Sequence, residues 1–272
     1  MAETIQVGGL RFHVEIEGQG RPVIFLHGFP DTSRLWRHQV AALVPAGYRC
    51  IAPDLRGRGR TERPPAVADY SIVSMVADVT RILDALEVER AAVVGHDFGA
   101  GLAWLVASLA PERVERLVAL SVGFPGASGP PNLHELQQAW YRILVQFEGT
   151  AEDLFQQDDL YLARELLQGR GDFDDYLAVF GDREALTAGL NWYRANLPLE
   201  RLLAAVPPLP PVKADTLAVY STGDEYLSER AMTASKARVE GRWRYERIEG
   251  ASHWIPVEAP DRLNELLLDF LA

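Results

Sequence analysis

Three polar residues follow strand-like runs, and their types and order would allow nucleophilic catalysis. Asp97 lies in the stretch VVGHDFGA (93–100), where an apolar run ends in Gly-x-Asp-x-Gly before a helical pattern. Asp224 follows TLAVYSTG, and His253 follows RYERIEGAS. A nucleophile, an acid and a histidine in this chain order, each after a strand, are typical of a catalytic triad. The spacing therefore predicts that these three side chains meet at one edge of a sheet.

An aspartate at the centre of this turn favours attack on a saturated carbon. A serine that attacked such a carbon would leave an ether, which a histidine could not hydrolyse. A carboxylate leaves an ester whose carbonyl belongs to the protein, and water activated by His253 can attack that carbonyl. Asp224 would then orient the histidine and stabilise its imidazolium form. The N-terminus of the following helix would favour the ionised form of Asp97.

Each of the three residues also has a purely structural interpretation. Asp97 could cap the following helix, Asp224 could be a turn residue, and His253 could be a surface histidine. Glu225 is an alternative acid, but it lies one residue further from the strand end. We favour the catalytic interpretation because all three residues match both the strand-end position and the chain order.

Backbone N–H groups beside the nucleophile would have to stabilise a tetrahedral intermediate. The loop HGFP (27–30) follows the apolar run VIFL, where a second N–H donor is expected. We therefore predict the backbone N–H groups of Phe29 and Phe98 as the oxyanion donors. His27 and His96 are interpreted as structural. The six histidines show no metal-ligand spacing, so no metal is predicted.

The elements that must position these residues alternate between strand and helix over the first 125 residues. TIQVGG and LRFHVEIEG alternate apolar and polar positions and predict an antiparallel hairpin. PVIFLHG, YRCIAPDL, AAVVG and VERLVALSV are apolar runs typical of buried strands. SIVSMVADVTRILDAL and GAGLAWLVASLA have helical spacing. The pattern predicts an α/β fold, with a mostly parallel sheet covered by helices.

The alternation stops in the middle of the chain. GFPGASGPPN (123–132) is rich in Gly and Pro and predicts a linker. From about 133 to 205 the apolar spacing is helical, and VPPLPPVK (206–213) predicts a second linker. The β/α pattern then resumes with TLAVYST, SERAMTASKARVE, WRYERIEG and PDRLNELLLDFLA.

We therefore predict a discontinuous α/β core with an inserted helical domain. The core comprises residues 1–128 and 212–272, and the insertion comprises residues 129–211. An insertion at this point is placed to act as a lid, or cap, over the carboxyl edge of the sheet, where α/β folds put their sites.

Composition limits the partners that the chain can be expected to have. The net charge is −11 and the isoelectric point is about 5.1, which argues against nucleic acid or an anionic membrane as a partner. The single cysteine, Cys50, excludes an intrachain disulfide. The N-terminal MAETIQVGGL lacks the features of a signal peptide, and no run approaches the ~20 apolar residues of a membrane span. These features predict a cytoplasmic protein, and they leave monomer and homodimer equally open.

The sequence resembles the α/β-hydrolase-fold epoxide hydrolases over nearly its whole length. The similar stretches are HGFPDTSRLWRHQ (27–39), GYRCIAPDLRGRG (47–59), VGHDFGA (94–100), LNWYR (190–194) and GASHW (250–254). The first two also occur in haloalkane and fluoroacetate dehalogenases, whereas NWYR is more specific. The resemblance implies an α/β-hydrolase fold that converts an epoxide and water to a vicinal diol through an alkyl-aspartate ester, without a cofactor.

The resemblance also implies two tyrosines in the insertion that point at the epoxide oxygen. The tyrosine of NWYR is Tyr193, and the second role is carried to Tyr141 from its position before VQFEGTAEDL. The stretches AWYRILVQF and LNWYRANL favour an apolar, aromatic pocket for a small apolar epoxide. The residues predicted to line it are Phe29, Phe98, Trp140, Trp192 and Trp254.

Two other functions stay open from the sequence. A haloalkane or haloacid dehalogenase could use the same Asp97, His253 and Asp224. Haloalkane dehalogenases hold halide with a Trp after the nucleophile and an Asn or second Trp, where Phe98 and Phe29 offer no donor. Fluoroacetate dehalogenases have arginine after the nucleophile and three positions later, where this chain has Phe98 and Gly101. The second of these functions is that of a ligand-binding protein of this fold that does not catalyse a reaction.

Overall fold

One sheet forms the centre of the part of the chain that the computed structural model describes, residues 2–202 and 208–272. Its strands are β1 Ala2–Val7, β2 Leu10–Glu17, β3 Arg21–Leu26, β4 Tyr48–Pro53, β5 Ala91–His96, β6 Val114–Leu120, β7 Asp215–Ser221 and β8 Trp243–Ile248. Across the sheet they follow the order β1-β2-β4-β3-β5-β6-β7-β8. The pairs β1–β2 and β2–β4 are antiparallel and the others are parallel. The predicted hairpin and mostly parallel sheet are confirmed.

Helices cover both faces of the sheet, which explains why its central strands are almost continuously apolar. The helices of this core are α1 Arg37–Leu43, α2 Ile72–Ala85, α3 Phe98–Leu109, and, after β7, α11 Glu229–Ala234, α12 Ile255–Glu258 and α13 Pro260–Leu271. Along β3, Val23 and Phe25 belong to the apolar cluster that contains residues of α1 and α13. Ile24 and Leu26 belong to the cluster on the other face, with residues of α2 and α3. Successive side chains of a strand point to opposite faces, so one short run packs against both layers.

The segment between β6 and β7 is helical. It contains α4 Leu133–Gln138, α5 Tyr141–Leu144, α6 Thr150–Gln156, α7 Tyr161–Leu167, α8 Phe173–Gly181, α9 Arg183–Asn196 and α10 Leu199–Leu202. The predicted helical region 133–205 and the second linker, 206–213, extend over residues 203–207, which lie outside the described residues. Within that linker, Val212 forms an isolated parallel bridge with Val239. No helix among the described residues has both the length and the apolar character of a membrane span.

Candidate active site

Asp97 occupies a sharp turn between β5 and α3. Its backbone has φ 53° and ψ −124°, a conformation that residues other than glycine rarely adopt. The turn is possible because its neighbours lack side chains. A Cβ atom on Gly99 would overlap the carbonyl oxygen of Leu26, and one on Gly95 would overlap that of Gly99. The close packing holds the turn rigidly, with the Asp97 carboxylate at the carboxyl edge of the sheet.

His253 connects the two predicted carboxylates. Its Nδ1 lies 2.8 Å from Oδ2 of Asp224, and its Nε2 lies 3.4 Å from Oδ2 of Asp97. The other oxygen of Asp224 accepts hydrogen bonds from the backbone N–H groups of Tyr226 and Leu227, at 2.9 and 3.0 Å. Asp224 is therefore held on both oxygens, so it can fix the orientation of the histidine ring.

The Asp97 carboxylate has two oxygens in different surroundings. Oδ1 accepts a hydrogen bond of 3.1 Å from the backbone N–H of Phe29. The backbone N–H of Phe98 also interacts favourably with the carboxylate. Oδ2 faces His253. Oδ1 thus lies beside one of the two predicted backbone donors, and Oδ2 faces the cavity wall that carries the histidine.

The contacts of His253 with the Asp97 and Asp224 carboxylates set the charges in this site. Burial alone would raise the pKa of Asp97, but the hydrogen bond and positive charge of His253 outweigh burial and lower that pKa to about 2. Burial alone would lower the pKa of His253, but Asp224 and then Asp97 raise it well above its usual value. The site therefore keeps Asp97 ionised and nucleophilic, and its two carboxylates stabilise positive charge on His253.

Two further histidines beside the site are neutral, in line with their predicted structural roles. Burial lowers the pKa of His27 and of His96 to about 4. His27 accepts a hydrogen bond from the Leu55 N–H at Nε2, and its Nδ1 lies 2.8 Å from the carbonyl oxygen of Gly28. His96 Nε2 lies 2.9 Å from the carbonyl oxygen of His253. These contacts fix the loops on either side of Asp97.

A largely apolar cavity opens over Asp97 and His253, and two tyrosines of the helical segment reach into it. Tyr141 from α5 and Tyr193 from α9 both line the cavity, and their ring centroids are 5.9 Å apart. Tyr193 also packs edge-on against Phe29, at 5.9 Å. The remaining wall is formed by Trp254 and mainly aliphatic or aromatic residues, including Val145, Phe155, Leu167, Phe180 and Leu190.

Three of the predicted pocket residues lie elsewhere. Trp140 is 42% exposed and lies at the protein surface. Trp192 is fully buried, donates from Nε1 to the carbonyl oxygen of Arg56 at 2.9 Å, and faces the core. Both precede a cavity tyrosine by one position, and a one-residue step turns a side chain by about 100° around a helix. Phe98 packs its ring against Trp192 and Tyr193, and it does not line the cavity. Phe29 and Trp254 do line it.

The NWYR stretch, residues 191–194, both bears a cavity tyrosine and holds the helical segment together. Arg194 is buried and binds Glu152 of α6 through both terminal nitrogens, at 2.8 and 2.9 Å. Its Nε donates to the carbonyl oxygen of Val145, just after α5. Because α5 bears Tyr141, this buried ion pair fixes the separation of the two tyrosines.

We expect Glu152→Gln to lower the free energy of unfolding by about 3–5 kcal/mol, because it leaves the buried Arg194 guanidinium without its counter-charge. Asp153→Asn is the matched control, since the adjacent Asp153 pairs with Arg183 at an exposed position. That change should cost less than about 1 kcal/mol. Urea unfolding followed by circular dichroism measures both values, and equal small losses would contradict the role of the ion pair.

Two residues that border the site were not predicted from the sequence. Tyr226 lines the cavity, lies edge-on to the His253 ring at 5.3 Å, and donates its hydroxyl to the carbonyl oxygen of Leu166. Asp31 is buried and accepts hydrogen bonds from Tyr176 Oη at 2.6 Å and from Trp254 Nε1 at 3.3 Å. Burial raises the pKa of Asp31 to about 7.

The sequence places each of these residues on a predicted site loop, but it does not indicate which residues their side chains contact. Tyr226 comes two positions after Asp224, and Asp31 comes directly after the HGFP loop. Their contacts reach α7 and α8 of the helical segment, and local sequence does not specify that packing.

Comparison with known proteins agrees with this fold. The family model described as the alpha/beta hydrolase fold matches residues 21–260. Epoxide hydrolase A of Mycobacterium tuberculosis is 30% identical, over 98% of this chain and 96% of that protein. Epoxide hydrolase 2 of Siraitia grosvenorii is 31% identical, over 98% of this chain and 97% of that protein.

Solved structures give the same result. A structure described under novel epoxide hydrolases from metagenomes of hot environments matches with a TM-score of 0.89 at 26% identity, covering 100% of this chain and 98% of that one. An epoxide hydrolase of Vigna radiata matches with a TM-score of 0.82 at 28% identity, covering 100% and 97%. The chain therefore belongs to the α/β-hydrolase-fold epoxide hydrolase family.

Proposed function

We propose that this protein hydrolyses a small apolar epoxide to a vicinal diol through a covalent ester on Asp97. The observation that carries the proposal is the placement of a carboxylate and two phenols in one apolar cavity. Asp97 and His253 line it from the core, and Tyr141 and Tyr193 line it from the helical segment. A nucleophile and a pair of hydroxyl donors are the two groups that ring opening requires.

In the first step, Oδ2 of Asp97 attacks one ring carbon. A carbon–oxygen bond forms to the carboxylate, the ring bond breaks, and its electron pair goes to the epoxide oxygen. The phenols of Tyr141 and Tyr193 donate hydrogen bonds to this oxygen, and one of them supplies its proton. Oδ1 meanwhile stays against the Phe29 N–H and becomes the carbonyl oxygen of the ester.

In the second step, His253 activates water to attack the ester carbonyl carbon. The negative charge then develops on Oδ1, where the N–H groups of Phe29 and Phe98 stabilise it. When this intermediate collapses, the bond from the Asp97 carbonyl carbon to Oδ2 breaks, and the proton that His253 took from water passes to Oδ2, which leaves as a hydroxyl of the diol. Alkylation itself prepares His253 for this role. The free Asp97 carboxylate helps to raise the pKa of His253. Ester formation removes that negative charge, so the pKa of His253 falls and the neutral ring, which can accept a proton from water, is favoured. The remaining carboxylate, Asp224, keeps the ring oriented.

We further propose that residues 129–211 form a cap domain on a core of residues 1–128 and 212–272. Contacts between the two parts support the proposal. Trp192 Nε1 donates to the Arg56 carbonyl oxygen, and Arg37 binds Asp172 with hydrogen bonds of 2.6 and 2.7 Å. The cap would exclude bulk water and carry both phenols.

A substrate panel tests the proposed reaction. We expect diol from an aryl epoxide such as styrene oxide, and halide release from short haloalkanes at below about 1% of that rate, because neither Phe29 nor Phe98 can donate a side-chain hydrogen bond to halide. Asp97→Asn is the control that should abolish diol formation. Halide release as fast as the best epoxide turnover would support the dehalogenase alternative. Epoxide binding without any diol would support a non-catalytic, ligand-binding protein.

A further inference from the structure

Arg142 lies behind one of the two cavity tyrosines without a carboxylate partner. It is half-buried on α5, and its Nε lies 3.5 Å from the phenol oxygen of Tyr141, at the long end of hydrogen-bond distances. Its guanidinium carbon is 5.8 Å from the centroid of the same ring. In the described part of the chain, no acidic side chain lies within ion-pair distance of this guanidinium.

This contact places the phenols of Tyr141 and Tyr193 in different electrostatic surroundings. Arg142 donates to the phenol oxygen of Tyr141, which leaves the Tyr141 hydroxyl hydrogen free to point into the cavity. For Tyr193, burial raises the pKa well above its usual value, and Tyr141 and Asp97 raise it further. A phenol in such surroundings keeps its proton and acts as a hydrogen-bond donor.

The charge of Arg142 interacts with groups of the reaction site. Burial alone would lower the pKa of this guanidinium, but the phenol oxygens of Tyr141 and Tyr193 and the Asp97 carboxylate raise it. A cation that the site itself stabilises will in turn stabilise new negative charge formed there.

We propose that Arg142 is a positioning residue that makes Tyr141, and not Tyr193, the acid that protonates the opening epoxide. The inference rests on the proposed function. As the ring bond breaks, the Tyr141 proton moves to the epoxide oxygen and leaves a phenolate beside the guanidinium. Ester hydrolysis then yields the diol and a carboxylic acid, whose proton returns to the Tyr141 phenolate as Asp97 becomes a carboxylate again. No further reactant is needed.

A double-mutant cycle separates this role from a structural one. The readout is the single-turnover rate of ester formation on Asp97 at saturating styrene oxide, followed by rapid quenching and protein mass. Arg142→Met should slow ester formation about 10-fold with little change in the half-saturating concentration. The same change should slow the Tyr193→Phe protein equally, but the Tyr141→Phe protein less than about 2-fold.

Two further variants control for charge and folding. Arg142→Lys keeps a cation and should retain at least about a third of the wild-type rate. Arg183→Met removes an exposed arginine at the start of α9 and should leave the rate unchanged. Equal slowing by Arg142→Met in the Tyr141→Phe and Tyr193→Phe backgrounds would overturn the inference and leave the proposed function intact. A wild-type protein that forms no ester would overturn the proposed function and this inference with it.

Discussion

His253→Gln should trap an ester on Asp97 and lower turnover by about 10⁴-fold or more. Ring opening needs the Asp97 carboxylate and the phenols, whereas hydrolysis needs a base near the ester carbonyl. The glutamine side chain cannot accept the proton from water. Intact-protein mass should therefore rise by the mass of one epoxide, and peptide mapping should place the adduct on Asp97.

A surface histidine provides the matched control for this experiment. His134 of α4 is exposed, so His134→Gln should turn over normally and carry no adduct. An epoxide that binds to the His253→Gln protein without forming an adduct would contradict the account. In that case His253 would act before ring opening, or water would attack the epoxide directly.

Replacing both cavity tyrosines with phenylalanine should slow ring opening by about 10³–10⁴-fold. Either single change leaves one donor in place and should cost about 10²-fold or less. The comparison uses the rate of ester formation, because hydrolysis of the ester does not involve the phenols directly. Tyr161→Phe is the control, since Tyr161 is 60% exposed on α7. Full activity of the Tyr193→Phe protein would contradict the assignment.

The core of the site could be predicted from the sequence because parallel strands bring their carboxyl ends to one edge. Asp97, Asp224 and His253 each follow such a strand, so their convergence needs only strand order and direction. The tight turn at Asp97 could also be predicted, because close local packing requires glycine on either side of it. Tyr193 and Tyr141 came from the resemblance, and the structure puts both at the cavity.

The cavity wall could not be predicted because it depends on how helices rotate and pack. Trp140 and Trp192 stand beside the cavity tyrosines in sequence, but one step along the chain turns them to the surface and the core. Tyr226 and Asp31 lie on core loops and border the site through contacts with Leu166 and Tyr176 of the helical segment. Such long-range contacts leave no periodic pattern in the sequence.

The source of the new hydroxyl oxygen in the diol tests the central claim most directly. If Oδ2 of Asp97 attacks the epoxide, that oxygen leaves with the product and water replaces it in the carboxylate. A single turnover in ¹⁸O-water with enzyme in excess should give largely unlabelled diol and a labelled peptide that contains Asp97. Over many turnovers the diol should become labelled. Labelled diol from the first turnover, with an unlabelled peptide, would show that water attacks the epoxide directly and that Asp97 is not the nucleophile.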